Sequence, residues 1–199
     1  MNIGFDAKRA FYNYTGLGNY SRDTIQILSN YYSENNYFLY TPKALKNDRL
    51  SFLHQKNIHV KTPNRIMDKS LKSLWRTSAI KRDLIKDKID IYHGLSHELP
   101  IGINKSNVKS IVTIHDFIFL RYPQFFSAID NKIYYQKFYH SCKVADKIIA
   151  VSQQTKNDII EFFKIDQHKI EVVYQGCNEA FKQTTSKEVN QITKKKYNI

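Results

Sequence analysis

Val108-Lys-Ser-Ile-Val-Thr-Ile-His-Asp116 is an apolar, β-branched run that ends abruptly in two polar residues. Its composition predicts a buried parallel strand whose carboxyl end presents His115 and Asp116. In open α/β sheets, ligands sit in the crevice beyond the carboxyl ends of the strands, so a His-Asp pair there is an active-site candidate. Residue types alone leave three roles open for the pair: general base, hydrogen-bond donor to a ligand, or brace of the following loop.

Working outward, Ile3-Gly-Phe-Asp6 predicts a first strand, followed by a loop from Ala7 to Gly18 that contains Thr15-Gly-Leu-Gly18. From Asn19 to about Ser33 the positions Tyr20, Thr24, Ile27, Leu28 and Tyr31 recur at helical spacing. Further strands are expected at 37–41, 58–61, 89–92, 147–151 and 170–174, and helices at about 70–87, 130–145 and 153–163. Strands alternating with helices, without hairpin signals, predict a doubly wound, mostly parallel Rossmann-like α/β sheet. There is no internal repeat. From Lys182 the chain turns polar, and 181–199 reads as a linker after a domain spanning 1–180.

Composition bounds the class. A length of 199 residues suffices for one ordinary core and is too short for two Rossmann-type domains with a cleft between them. Cys142 and Cys177 form no CxxC, and both read as buried, inert thiols of a reducing compartment. The N-terminus has no signal-peptide pattern, and no stretch reaches the roughly 18 apolar residues of a membrane span. A soluble, cytoplasmic protein is expected. The formal charge of +13 favours phosphate-bearing partners, although an AT-rich genome would also raise the Lys count.

Three further features carry candidate chemistry. Gly16, Leu17 and Gly18 precede a helix, where backbone N–H groups can approach a phosphate or sugar; a plain loop-and-cap role fits equally. The dinucleotide fingerprint is not met, because Ser21 stands where a third Gly would be. His93, His97 and Glu98 invite a metal reading, but Gly94 and Pro100 argue against the helix such a site would need, and no metal is expected. His93 is instead expected to end a strand and line the same cleft as His115. Ser152 precedes a helix, and either caps it or also meets a substrate there.

In order, Thr15-Gly-Leu-Gly-Asn-Tyr20, Ile91-Tyr-His-Gly94, Val112-Thr-Ile-His-Asp116, Ala145-Asp-Lys-Ile-Ile-Ala-Val-Ser152 and Ile170-Glu-Val-Val-Tyr-Gln-Gly176 resemble the N-terminal half of GT-B glycosyltransferases of family 4. The resemblance covers about residues 1–180, and its pieces are jointly far more specific than any one of them. It implies the acceptor domain of a retaining enzyme that moves a hexose, such as mannose or glucose, from a GDP- or UDP-sugar. The acceptor would be a glycan or a lipid-linked glycan of cell-surface polysaccharide synthesis. The nucleotide sugar would be a substrate, and no cofactor is implied. His115 would contact the transferred sugar, with Asp116 beside it; the Gly16–Gly18 loop would approach the diphosphate and the acceptor. The family's donor-binding half, with its paired glutamates, has no counterpart here, so this chain alone is expected to be inactive.

Two rivals from other classes are a non-catalytic sugar- or partner-binding module and a nucleic-acid binder. The second lacks any helix-turn-helix, zinc-finger or RRM signature, and its basic residues are widely spread, so no specific nucleic acid is expected. Between Lys69 and Lys88 stand seven basic residues and two acidic ones, with Leu71, Leu74 and Trp75. This helix either lies on an anionic membrane, at the inner face of the plasma membrane, or covers the sheet with Leu71 and Trp75 in the core.

Overall fold

The computed structural model describes residues 1–45, 48–65, 68, 70–177, 182 and 185–199. Lys69, at the start of the predicted basic helix, and residues 178–181, 183 and 184 around the predicted domain end lie outside the described residues.

Seven strands form one sheet: β1 (Asn2–Asp6), β2 (Asn36–Tyr40), β3 (Ile58–Lys61), β4 (Ile91–Gly94), β5 (Lys109–Ile114), β6 (Lys147–Ala150) and β7 (Ile170–Val172). Their order is β3-β2-β1-β4-β5-β6-β7, and every pairing is parallel. The order reverses between β1 and β4, the place where an open α/β sheet leaves a crevice.

The helices are α1 (Lys8–Tyr12), α2 (Gly16–Tyr31), α3 (72–86), α4 (Ile118–Arg121), α5 (Ala128–Val144), α6 (Gln153–Phe163) and α7 (Lys187–Tyr197). Helix α3 is interrupted by a π-helical turn over Trp75–Ala79. Strand alternation divides the core between the two faces of the sheet. Phe5, Tyr37 and Leu39 join Phe11 and Ile25 on the α2 side. Tyr40, Tyr92, Val112 and Ile114 join Trp75, Leu84 and Phe138 on the other.

The amino ends of two strands are fastened by carboxylates. Asp90 accepts the Asn2 N–H at 2.8 Å, and Asp146 accepts the Ser110 N–H at 2.8 Å, each reaching the start of the neighbouring strand.

Several expectations are corrected. The loop after β1 contains α1, because Ala10 and Phe11 bury one side of a short turn. Helix α2 starts at Gly16 rather than Asn19, so Gly16, Leu17 and Gly18 form its first turn. Strand β4 is shifted to Ile91–Gly94, which puts His93 inside the strand. The polar tail carries α7, which buries none of its residues. Cys142 is buried, and burial pushes its thiol up to about 12, whereas Cys177 is exposed.

The reading of the basic helix as a cover for the sheet holds for Trp75 and fails for Leu71. Trp75 is buried and its Nε1–H donates to Asp83, but Leu71 and Leu74 are exposed. Arg76 turns inward and pairs with Asp6 and Glu98. Among the described residues, no helix is long and apolar enough to cross a membrane.

Candidate functional site

His115 directly follows β5 and is half-buried at the carboxyl edge of the sheet. Its Nε2 lies 3.0 Å from the Leu95 carbonyl oxygen, and its Nδ1 lies 3.1 Å from Gln175 Nε2. The ring sits edge-on to Tyr20, with centroids 4.7 Å apart, and to His97 at 5.1 Å. Burial lowers its pKa below the ordinary histidine value, partly opposed by the Leu95 carbonyl and by Asp116. At neutral pH the ring is therefore uncharged, a hydrogen-bonding group rather than a cation.

Asp116 is exposed, and its Oδ1 accepts the Ile118 N–H at 3.1 Å. Of the roles left open for it, the geometry shows the brace: the carboxylate closes the turn into α4.

The glycine turn meets the same place through α2. Tyr20, one turn into that helix, packs on His115, and its hydroxyl shares a 3.0 Å hydrogen bond with Thr113 Oγ1. The two glycines differ in kind. A Cβ on Gly18 would lie 1.8 Å from the Asn13 carbonyl oxygen, so Gly18 answers a packing demand, whereas a Cβ on Gly16 would meet nothing within 4 Å. Asn13 Oδ1 takes the Gly18 N–H at 3.1 Å. The amides of Gly16 and Leu17 find no acceptor among the described residues, as expected of the first N–H groups of a helix.

His93 does not line the cleft. It is 5% exposed, its ring tilts on Phe5 at 5.8 Å, and its Nε2 lies 2.8 Å from Thr113 Oγ1. Burial, helped by His115, lowers its pKa to about 4. It supports the floor beneath Tyr20 and His115.

Ser152 accepts the Thr155 N–H at 3.1 Å as the N-cap of α6, and Thr155 Oγ1 donates to the His115 carbonyl at 3.0 Å. The cap thus ties α6 to the residue in question.

Two arrangements are not foreshadowed by the sequence, where His97 and Glu98 stand out only as members of a metal site. His97 takes a left-handed backbone conformation (φ 65°), stacks on Phe138 at 4.2 Å and accepts the His115 N–H on Nδ1 at 3.4 Å. Burial, then the neighbouring His115, hold its pKa well below the ordinary value. The second is a charge network at the β1/β4 reversal. Arg76 pairs with Asp6 at 2.5 Å and with Glu98, and Lys137 pairs with Glu98 at 3.1 Å.

Asp6 ends β1 as Asp116 follows β5, so the strand-end rule applied to β1 would have found it. Nothing local in the sequence marks Arg76 as its partner, 70 positions away. Burial alone would raise the Glu98 pKa, but Arg76 and Lys137 overcome this and hold the carboxyl below its usual range. Among the described residues, no group of three His, Cys, Asp or Glu side chains is placed to hold a metal ion.

Residues 33–181 match Glycosyltransferase Family 4. No curated protein matches the sequence. Among solved structures, a glycosyltransferase from Rickettsia africae ESF-5 is similar at 17% identity and a TM-score of 0.56, covering 99% of this chain and 49% of that one. Anabaena Alr3699/HepE, crystallised with UDP and glucose, is similar at 13% identity and a TM-score of 0.58, covering 98% and 49%. The same protein with UDP-glucose gives 12% and 0.57. This chain thus spans about half the length of the structures it matches. The likeness is one of fold, that of a GT-B half.

Proposed function

Because the chain belongs to Glycosyltransferase Family 4, we propose that it is the acceptor-side half of a retaining hexosyltransferase. The enzyme moves glucose or mannose from a UDP- or GDP-sugar to a glycan or lipid-linked acceptor in cell-surface polysaccharide synthesis. One observation carries this reading: a histidine with its Nε2 on a main-chain carbonyl stands at the carboxyl edge of a parallel sheet, beside a helix N-terminus with two uncommitted amides. Crystals of Anabaena Alr3699/HepE with UDP and UDP-glucose support the donor class.

Glycosyl transfer develops positive charge on the sugar ring and negative charge on the departing diphosphate. A neutral His115, its Nε2 proton on the Leu95 carbonyl, accepts from a sugar hydroxyl on Nδ1 without adding positive charge beside the ring. Gly16 and Leu17 N–H groups serve the anionic side, and Gly16, with open space above its Cα, lets a ligand come close. Asp116 positions this edge by holding the turn into α4, and Ser152 does so through Thr155.

The proposed setting is cytoplasmic, at the inner face of the plasma membrane. Leu71, Leu74 and Ile85 are 52%, 56% and 62% exposed on α3 and the residue before it, with exposed Lys86 beside Ile85, whereas Arg82 is paired with Asp68. Apolar side chains beside cations suit an anionic lipid surface, each cation contributing about 1 kcal/mol. The reading is tested by joining this chain to a donor-binding half and assaying transfer from UDP-glucose and GDP-mannose. Absence of transfer from every nucleotide sugar, with both halves folded, would count against it.

A further inference from the structure

A cavity of about 290 Å³ opens at the β1/β4 reversal, on the side of the sheet opposite α2. Asp6 and Tyr92 form its floor, α5 and α3 its sides, and the loop after β4 its rim. It is distinct from the His115 face but joined to it: Glu98, in the cavity wall, directly follows His97, which touches His115. Its size lies near the lower end of small-molecule pockets, about 300–1,000 Å³.

Three observations specify an occupant. The charged side chains in the wall, Asp6, Glu98, Arg76 and Lys137, cancel in sign although the chain as a whole carries +13. A phosphate or carboxylate would have to compete with two carboxylates already fixed to the cations. Next, His140 lines the cavity, and its Nε2 is buried with no hydrogen-bond partner among the described residues. A buried polar atom of this kind costs stability until something binds it. Finally, Leu99, Pro100 and Ile101 give one wall an apolar surface.

A ligand matching all three is uncharged, offers both donors and acceptors, and has one C–H face. We propose that this cavity holds one pyranose ring of an uncharged saccharide acceptor. Its hydroxyls donate to Asp6 and Glu98 and bond His140 Nε2, while its C–H face lies on Leu99, Pro100 and Ile101. The proposal rests on the glycosyltransferase reading and narrows it. The acceptor is recognised by a neutral sugar, with any lipid portion lying outside the cavity.

The test titrates the 199-residue chain with methyl glucopyranoside, methyl mannopyranoside and methyl galactopyranoside, with glucuronate and inorganic phosphate as charged comparisons, followed by nuclear magnetic resonance. At least one neutral pyranoside is expected to bind more tightly than either anion and to shift His140 and Ile101 signals. Ile101 is 55% exposed, so Ile101→Trp fills the rim without disturbing the core and should abolish binding. Glu98→Gln, which loses the ion pairs with Arg76 and Lys137 as well as one acceptor oxygen, should weaken it by about tenfold or more.

No pyranoside binding, binding untouched by Ile101→Trp, or preferential binding of glucuronate or phosphate would overturn the proposal. Transfer assays with both halves separate it from the wider reading. Unchanged acceptor KM in Ile101→Trp would defeat the cavity alone. Pyranoside binding here without transfer in the joined protein would defeat only the enzyme.

Discussion

His115 gives its Nε2 proton to the carbonyl oxygen of Leu95 across 3.0 Å. A carbonyl can only accept, so the neutral ring keeps its lone pair on Nδ1, where the Gln175 amide nitrogen lies at 3.1 Å. Nδ1 is thus the ring nitrogen not committed to the main chain, and a ligand that took it would displace Gln175. His115→Ala, in a protein carrying both halves, is expected to lower kcat roughly 10²-fold while circular dichroism stays unchanged. Asp116→Asn keeps an oxygen for the Ile118 N–H and should change kcat little. An unaltered rate in His115→Ala would remove this residue from the reaction.

The purified 199-residue chain should fold cooperatively yet transfer no sugar. The sheet closes its own core on both faces, but the structures it matches are about twice as long. Turnover of UDP-glucose or GDP-mannose by this chain alone would refute the division of labour between halves.

The first-turn glycines separate packing from function. Gly18→Ala should cost about 1–3 kcal/mol or more, since its Cβ meets backbone at 1.8 Å. Gly16→Ala should leave stability unchanged or raise it by up to about 1 kcal/mol. In the joined protein it should nonetheless lower kcat/KM if a ligand approaches there. Denaturant midpoints and steady-state rates of both variants decide the matter; a destabilised Gly16→Ala would contradict the open space at its Cβ position.

One buried and two half-buried histidines set an acid limit. His93, His97 and His115 all have folded-state pKa values below the ordinary one near 6.5. The unfolded chain therefore binds protons that the folded chain refuses, and stability falls as pH drops below that value. For His93 the window extends to about 4 and corresponds to on the order of 3 kcal/mol. Between about pH 6.5 and 5 most carboxylates remain ionised, so the histidines act largely alone. Urea midpoints should fall measurably across that interval, and a flat profile would contradict the burial of these rings.

Co-sedimentation addresses the membrane. Binding to phosphatidylglycerol vesicles, weak with phosphatidylcholine and reduced by salt, is expected. Replacing Leu71, Leu74 and Ile85 with Ser should abolish it. Arg76 is unsuitable for such a test because its charge is spent on Asp6 and Glu98. Equal binding to both lipids, or retention in the triple variant, would exclude this surface.

Much of the architecture was legible because it rests on local pattern. Ile111, Val112 and Ile114 mark β5, and helical spacing marks α2 and α6. The misreadings also have local causes. Ile89-Asp-Ile-Tyr92 alternates like a strand, yet the pairing with β1 and β5 begins only at Ile91. His93 reads as a strand end because it is polar; its partner Thr113 lies 20 positions away. The Asp6–Arg76–Glu98–Lys137 network was invisible for the same reason. A basic helix looks alike whether its arginine faces water or a distant carboxylate, and only the order of strands brings Asp6 to it.

Asp90 and Asp146 fasten their neighbouring strands at the edge of the sheet remote from the chemistry. Because a slip of one residue would turn every side chain to the wrong face, these two carboxylates act as alignment pins. Alignment is thus secured without help from the loops at the carboxyl edge. Those loops are free to diverge: a rim residue such as Ile101 can be rewritten with the sheet's register left undisturbed.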